Sequence, residues 1–267
     1  MLAAVHYGEL PQSPAQHVVQ QLIASELVHE FTEVTDQPKL AAAPNIPELA
    51  TWRYNQRILE SQWRDHLDKA NAFRDLAANL NNRLFRFRLR LNRDFRGSQW
   101  RTRQIEKFVT AKHIMAWRRF IDSACSVLVV IESDATLTSN SVKGFTDAVT
   151  ELSSDAPTYV NLAGGLSRRK IAIEHLAATQ SNAMTEFTRP VTNTSCAYAV
   201  NRSLVLELLS FLSTNPEAGT LGIDWLFNAV FIDRTSEGRN IRCLHSEPPA
   251  VRHGSLTGVT RSWHPDR

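Results

Sequence analysis

A short apolar run, Val127-Leu128-Val129-Val130-Ile131, ends abruptly in Glu132-Ser133-Asp134. An apolar stretch of this length without polar interruption predicts a strand buried on both faces. Carboxylates at the carboxyl end of such a strand are placed to hold a ligand or a metal ion.

Strand-like and helix-like patterns alternate on either side of it. Leu2 to Val5 predicts a strand, and Ser13 before Pro14, with Gln16 in the capping-box position, predicts a helix start. Val18, Val19, Leu22, Ile23 and Leu27 give that helix one apolar face, and Val28 to Val34 predicts a second strand, so the opening segment reads as a βαβ unit. Farther on, Ser139 to Leu152 and Arg168 to Gln180 predict helices, while Thr158 to Leu162 and Ser195 to Val200 predict strands. Asn201 stands where a helix cap belongs, ahead of a face made by Leu204, Val205, Leu208, Leu209 and Leu212. Gly222-Ile223-Asp224-Trp225 opens another helix, Asn240 to Leu244 predicts a last strand, and Pro248 to Arg267 reads as a loop-like tail. Strands interleaved with helices predict one α/β domain over 1–267.

Pro38 to Gln104 interrupts this alternation and reads as an insertion. From about Trp52 to Leu84, the residues Leu59, Trp63, Leu67, Ala70, Phe73, Leu76, Leu80 and Leu84 form a single apolar stripe at helical spacing. A straight helix of that span would be roughly 50 Å long, so a hairpin or a projecting helix is expected. Arg83 to Arg93 then alternates basic and apolar residues. This fits a solvated amphipathic strand or helix, or a platform for an anionic acceptor, lipid phosphates or a partner; single-stranded nucleic acid is the least favoured occupant. Gln104 to Ile121 follows as a helix that leads into the apolar run.

Composition narrows the class. Hydrophobic residues make up 43% and charged residues 21%, ordinary values for a folded globular chain. The formal charge is only +3, yet eight arginines lie between Arg83 and Arg103, so the basicity belongs to one surface. Cys125, Cys196 and Cys243 have neither disulfide-framework nor zinc spacing, which fits a reducing cytoplasm. No apolar run approaches the roughly 18 residues that cross a bilayer, and the amino end lacks a secretory layout. The expectation is a cytoplasmic protein, with peripheral contact at the inner membrane face open to its basic segment.

Glu132 and Asp134 at a sheet edge would be partly desolvated, which costs free energy unless a cation or a donor satisfies them. A hard divalent ion bridging to a diphosphate is one such solution. His253, in the carboxyl-terminal loop beside Gly254, offers an imidazole to complete the coordination of an ion held by Asp134, although a lone histidine is also commonly just a surface residue. Asp224 admits two roles, helix cap or general base. His113 reads as a core-edge histidine bonded to backbone.

Four stretches taken together resemble glycosyltransferase family 25, which contains the lipooligosaccharide and procollagen galactosyltransferases. They are Lys112-His113-Ile114-Met115-Ala116-Trp117, Val129 to Ala135, Thr194 to Arg202 with its Ala197-Tyr198, and Gly222-Ile223-Asp224. The resemblance implies a GT-A fold, a Rossmann-like mixed sheet flanked by helices, that binds a nucleotide-sugar with an acidic element holding a divalent metal, manganese or magnesium. It implies Asp134 and His253 as metal ligands, Glu132, Ser133 and His113 in the donor site, Arg168 and Lys170 near phosphate, and Asp224 as the base. The implied reaction is transfer of a sugar, from a UDP-sugar in the first instance, to a glycan or glycolipid acceptor of a surface polysaccharide, with inversion. Ser133 stands where the family carries a further acid, and the family's opening motif has no counterpart at His6 to Leu10. Those departures motivate the alternative of a non-catalytic transferase fold that binds through its arginine-rich insertion.

Overall fold

The structure, a computed structural model, describes residues 2–6, 14–28, 30–34, 45–67, 72–164, 177–181, 184–193 and 195–254. It is a mixed α/β fold. An eight-stranded sheet runs in the order β2-β1-β3-β8-β5-β9-β7-β6, where β1 is Leu2–His6, β2 Glu30–Glu33, β3 Val127–Ile131, β5 Thr158–Asn161, β6 Ala177–Ser181, β7 Met184–Phe187, β8 Ala197–Asn201 and β9 Arg242–Ser246. Strands β1, β2 and β3 pair in parallel, β8 runs antiparallel between β3 and β5, and β5 pairs in parallel with β9. A second, two-stranded sheet joins β4 (Ala135–Leu137) to β10 (Val251–His253).

The apolar run is β3, and every residue of it is buried. Its side chains alternate between two cores, as the period of a strand requires. Leu128 and Val130 join Trp117, Phe120, Tyr159, Tyr198 and Phe227 on one face, while Val127, Val129 and Ile131 join Val18, Leu22, Phe145 and Ala199 on the other. Helices therefore cover both faces: α1 (Pro14–Ala24) and α5 (Ser141–Glu151) on the second, and α4 (Arg93–Asp122), α6 (Arg202–Thr214) and α7 (Ile223–Ser236) on the first. Each large apolar side chain fully removed from water contributes about 1.5–3 kcal/mol, so the central strand adds substantially to the stability of both cores.

Arg202 joins α4 to β3. Its guanidinium donates to the carbonyls of Ile121 (2.8 Å), Ser123 (2.7 Å) and Cys125 (2.8 Å), in the segment where the helix ends and the strand begins. Asn201 caps α6 as its sequence position predicts, its Oδ1 accepting from the Leu204 N–H at 3.1 Å.

Between Pro38 and Gln104, the segment expected to be an insertion, the long apolar stripe is divided between α2 (Ile46–Leu67) and α3 (Ala72–Leu91), which pack against each other, and α4 runs without a break through Gln104. Arg83 to Leu91 is helical, not extended, because Phe85 and Leu89 sit one turn apart and pack with Leu49, Trp52 and Trp100 in a small separate core. Asn92 ends that helix and caps the next, accepting from the Phe95 N–H at 2.9 Å.

Other expectations need correction. Ala177 to Gln180, expected to be helical, belongs to β6, paired antiparallel with β7. The tail contains β10, because Val251–His253 finds a partner in β4. Ser13, Arg168 and Lys170 lie outside the described residues.

Candidate metal centre

Glu132-Ser133-Asp134-Ala135 is a tight turn closed by the Ala135 N–H on the Glu132 carbonyl at 3.0 Å. Serine suits such a turn. The Glu132 N–H donates to the Cys196 carbonyl at 2.7 Å, so the turn is anchored to the segment that enters β8. From Asp134 the chain continues into β4, where Ala135 stands opposite His253 of β10, and the Gly254 N–H donates to the Asp134 carbonyl at 2.8 Å. That pairing brings His253 Nδ1 to 2.9 Å from Asp134 Oδ2. One donor atom from each of Glu132, Asp134 and His253 then lies within 4.8 Å of the others.

Electrostatics follow from this crowding. Burial, reinforced by the charge of Asp134, pushes the Glu132 carboxyl up to about 8. Burial works against a charged His253, but its hydrogen bond to Asp134 and the charges of Asp134, Glu132 and Asp224 outweigh it and raise the imidazole above its ordinary range. Crowded carboxylates beside an imidazole are groups that a divalent cation would satisfy together.

His113, on α4, is fully buried beneath this corner. Its Nε2 lies 3.2 Å from Glu132 Oε1 and its Nδ1 2.8 Å from the Tyr198 hydroxyl. Trp117 Nε1 donates to the same hydroxyl at 2.9 Å. An indole N–H only donates, so the tyrosine oxygen accepts there. His113 thus bridges Tyr198 and Glu132 through its two ring nitrogens. Burial holds His113 neutral, with its pKa lowered to about 3, so the imidazole positions Glu132 through a hydrogen bond and adds no charge. Lys112 does add charge: buried, with Nζ 4.4 Å above the Phe108 ring, it favours ionisation of Glu132.

Asp224 lies in the first turn of α7, where Gly222 is the cap residue, so the capping role does not apply. Its Oδ1 accepts from the Ser195 N–H at 2.9 Å and from the Ser195 hydroxyl. Thr110 Oγ1 donates to the Leu221 carbonyl at 2.6 Å, which ties the approach to α7 against α4. Asp224 is near enough for its charge to act on Glu132, His113 and His253.

The structure therefore gathers Glu132, Asp134, His253, His113 and Asp224 at one corner, with Ser133 in the turn itself. It adds residues that the sequence reading left without a role. Tyr198 and Ser195 lie inside a quoted motif but give no chemical signal there. Glu106 has no sequence signal: it accepts from Gln56 Nε2 at 2.9 Å, and burial raises its pKa to about 7 against the pull of Gln56 and Arg53. Asn161, at the end of β5, accepts from the N–H groups of Ala163 (2.9 Å) and Gly164 (3.1 Å) and donates to Thr192 Oγ1 (3.2 Å), fixing the loops beside the corner.

Compared with protein-family models the chain matches none, and no curated protein matches it.

Proposed function

We propose that this chain is a metal-dependent glycosyltransferase of the GT-A type, which moves a sugar from a nucleotide-sugar to a glycan or glycolipid acceptor with inversion. The observation that carries the reading is the Glu132–Asp134–His253 cluster at the carboxyl end of buried strand β3, which runs parallel to β1 and antiparallel to β8, at the sheet end where ligands of open α/β folds bind. The resemblance of the same segments to family 25 agrees with it.

The donor set fits a divalent ion. Two carboxylates suit manganese and magnesium alike, and the imidazole nitrogen favours manganese. When bound, such an ion supplies Lewis-acid stabilisation of the charge that builds on the leaving nucleoside diphosphate. Asp134 and His253 would hold it; Glu132, hydrogen-bonded to His113, would be a third ligand or a contact to the donor sugar. Asp224, with its carboxylate set by Ser195, takes the proton from the acceptor hydroxyl as that oxygen bonds to the anomeric carbon. The bond to the diphosphate breaks in the same displacement, its electron pair leaves with the diphosphate, and the configuration inverts.

Thermal unfolding with UDP, with and without manganese, tests the reading. Stabilisation by UDP that requires the metal, lost in Asp134→Ala and in His253→Ala, is expected. Metal-independent behaviour of the wild-type chain with every nucleoside diphosphate would overturn it. It would leave the second reading, a non-catalytic fold that acts through its arginine-rich helix, whose exposed face is the observation in its favour.

A further inference from the structure

Eight large apolar side chains are exposed among the described residues, and four of them, Leu80, Leu84, Phe87 and Leu91, lie on α3. They are between 53% and 70% exposed. At about 100° per residue their positions fall within an arc of roughly 60°, one continuous stripe three turns long. The stripe is not the face by which α3 folds, since Phe85 and Leu89, on the opposite side of the cylinder, fill the core made with Trp52 and Trp100. A helix with two apolar faces, one of them toward solvent, needs an occupant for the second.

Charge identifies the occupant. Arg83 and Arg90 lie on one shoulder of the stripe and Arg88 on the other, each roughly 70–90° from its centre. All three are exposed, as are Arg86 and Arg93. From Asn79 to Arg93 there is no acidic residue, and Asp94 is the single carboxylate between Arg83 and Arg103. Arg103 is excluded from this surface because it is buried and paired with Glu48 at 2.8 Å. A leucine- and phenylalanine-rich stripe with arginines on both shoulders is complementary to the boundary between acyl chains and anionic headgroups, where the apolar side chains enter the hydrocarbon and the guanidinium groups meet phosphate.

We propose that α3 docks this protein on an anionic lipid membrane, lying in the plane of the interface with Leu80, Leu84, Phe87 and Leu91 facing the acyl region. This does not depend on the transferase reading, because it uses no residue of the metal corner. A basic partner surface is disfavoured by the same arginines, and a second copy of the chain would bring like charges together along both shoulders.

Co-sedimentation of the full chain with vesicles tests it. Phosphatidylcholine vesicles containing phosphatidylglycerol should retain the protein, phosphatidylcholine alone should not, and raised salt should release it. Leu84→Ser with Phe87→Ser should lower the partition at least tenfold. Arg83→Gln with Arg88→Gln and Arg90→Gln should lower it by about fivefold per arginine. Leu206→Ser, an exposed apolar residue on α6, is the control and should bind like wild type. Circular dichroism should show unchanged helicity in each variant, since these side chains are exposed. Failure of the wild-type chain to bind anionic vesicles, or unchanged binding in the Leu84/Phe87 variant, would overturn the proposal. So would loss of a dimer on size exclusion in that variant without loss of vesicle binding.

Discussion

His253 stands opposite Ala135 in the β4–β10 ladder, and this register delivers its Nδ1 to within 2.9 Å of Asp134 Oδ2. Backbone pairing thus places the imidazole before any ion is present. The three side chains that could hold an ion are brought together by the backbone itself. His253→Ala should therefore cost little stability without metal, roughly 1 kcal/mol by urea unfolding, while manganese-linked stabilisation disappears.

Tyr198 is the joint between α4 and the acid tip. Tyr198→Phe removes the acceptor of Trp117 Nε1 and the hydrogen-bond partner of His113 Nδ1, both buried. A loss of about 2–4 kcal/mol in denaturant unfolding is expected, and manganese affinity should fall by roughly 10- to 100-fold because Glu132 loses its fixed orientation.

On the proposed transferase reading, Ser195 positions and Asp224 carries the chemistry. Asp224→Asn should lower the transfer rate by on the order of 10²- to 10⁴-fold while UDP binding is retained. Ser195→Ala keeps its backbone N–H on Asp224 Oδ1, so a smaller fall in kcat, about tenfold, with donor KM unchanged, is expected. Steady-state kinetics on the two variants checks the ordering.

Gly164 ends the segment after β5 with φ +65°, and a Cβ there would lie 2.2 Å from Pro249 Cγ. Gly164→Ala meets both a left-handed backbone and a proline ring, and should destabilise by about 1–3 kcal/mol in thermal or urea unfolding.

His245 sets an acid limit. Its Nε2 donates to the Val191 carbonyl at 2.9 Å, and burial lowers its pKa to about 4. The unfolded chain binds the proton at about 6.5 and the folded chain only near 4, so stability is present above about pH 6.5 and is lost as pH falls toward 4. The loss from this residue is on the order of 2–3 kcal/mol, and His113 adds to it in the same direction. His245→Gln should flatten the dependence of melting temperature on pH across that window.

The central strand, the acids at its tip and the cap at Asn201 are legible from local pattern, because buried strands and helix caps are specified by residues close in sequence. The arginine-rich segment shows where that ends. Its alternation suits a strand, yet Phe85 and Leu89 also satisfy a helical period, and contact with Trp52 and Trp100 selects the helix. Glu106 gains its environment from Gln56 of another helix, and no spacing announces it.

What the sequence by itself determined is the apolar run, its acidic end and the α/β alternation around it, since each follows from side-chain periodicity. Only the tertiary structure decided that Asp134 meets His253, that His113 links Tyr198 to Glu132, and that Leu80, Leu84, Phe87 and Leu91 are exposed. Those relationships depend on strand register and helix packing between distant segments, which are settled by the free energy of the whole fold rather than by any one stretch.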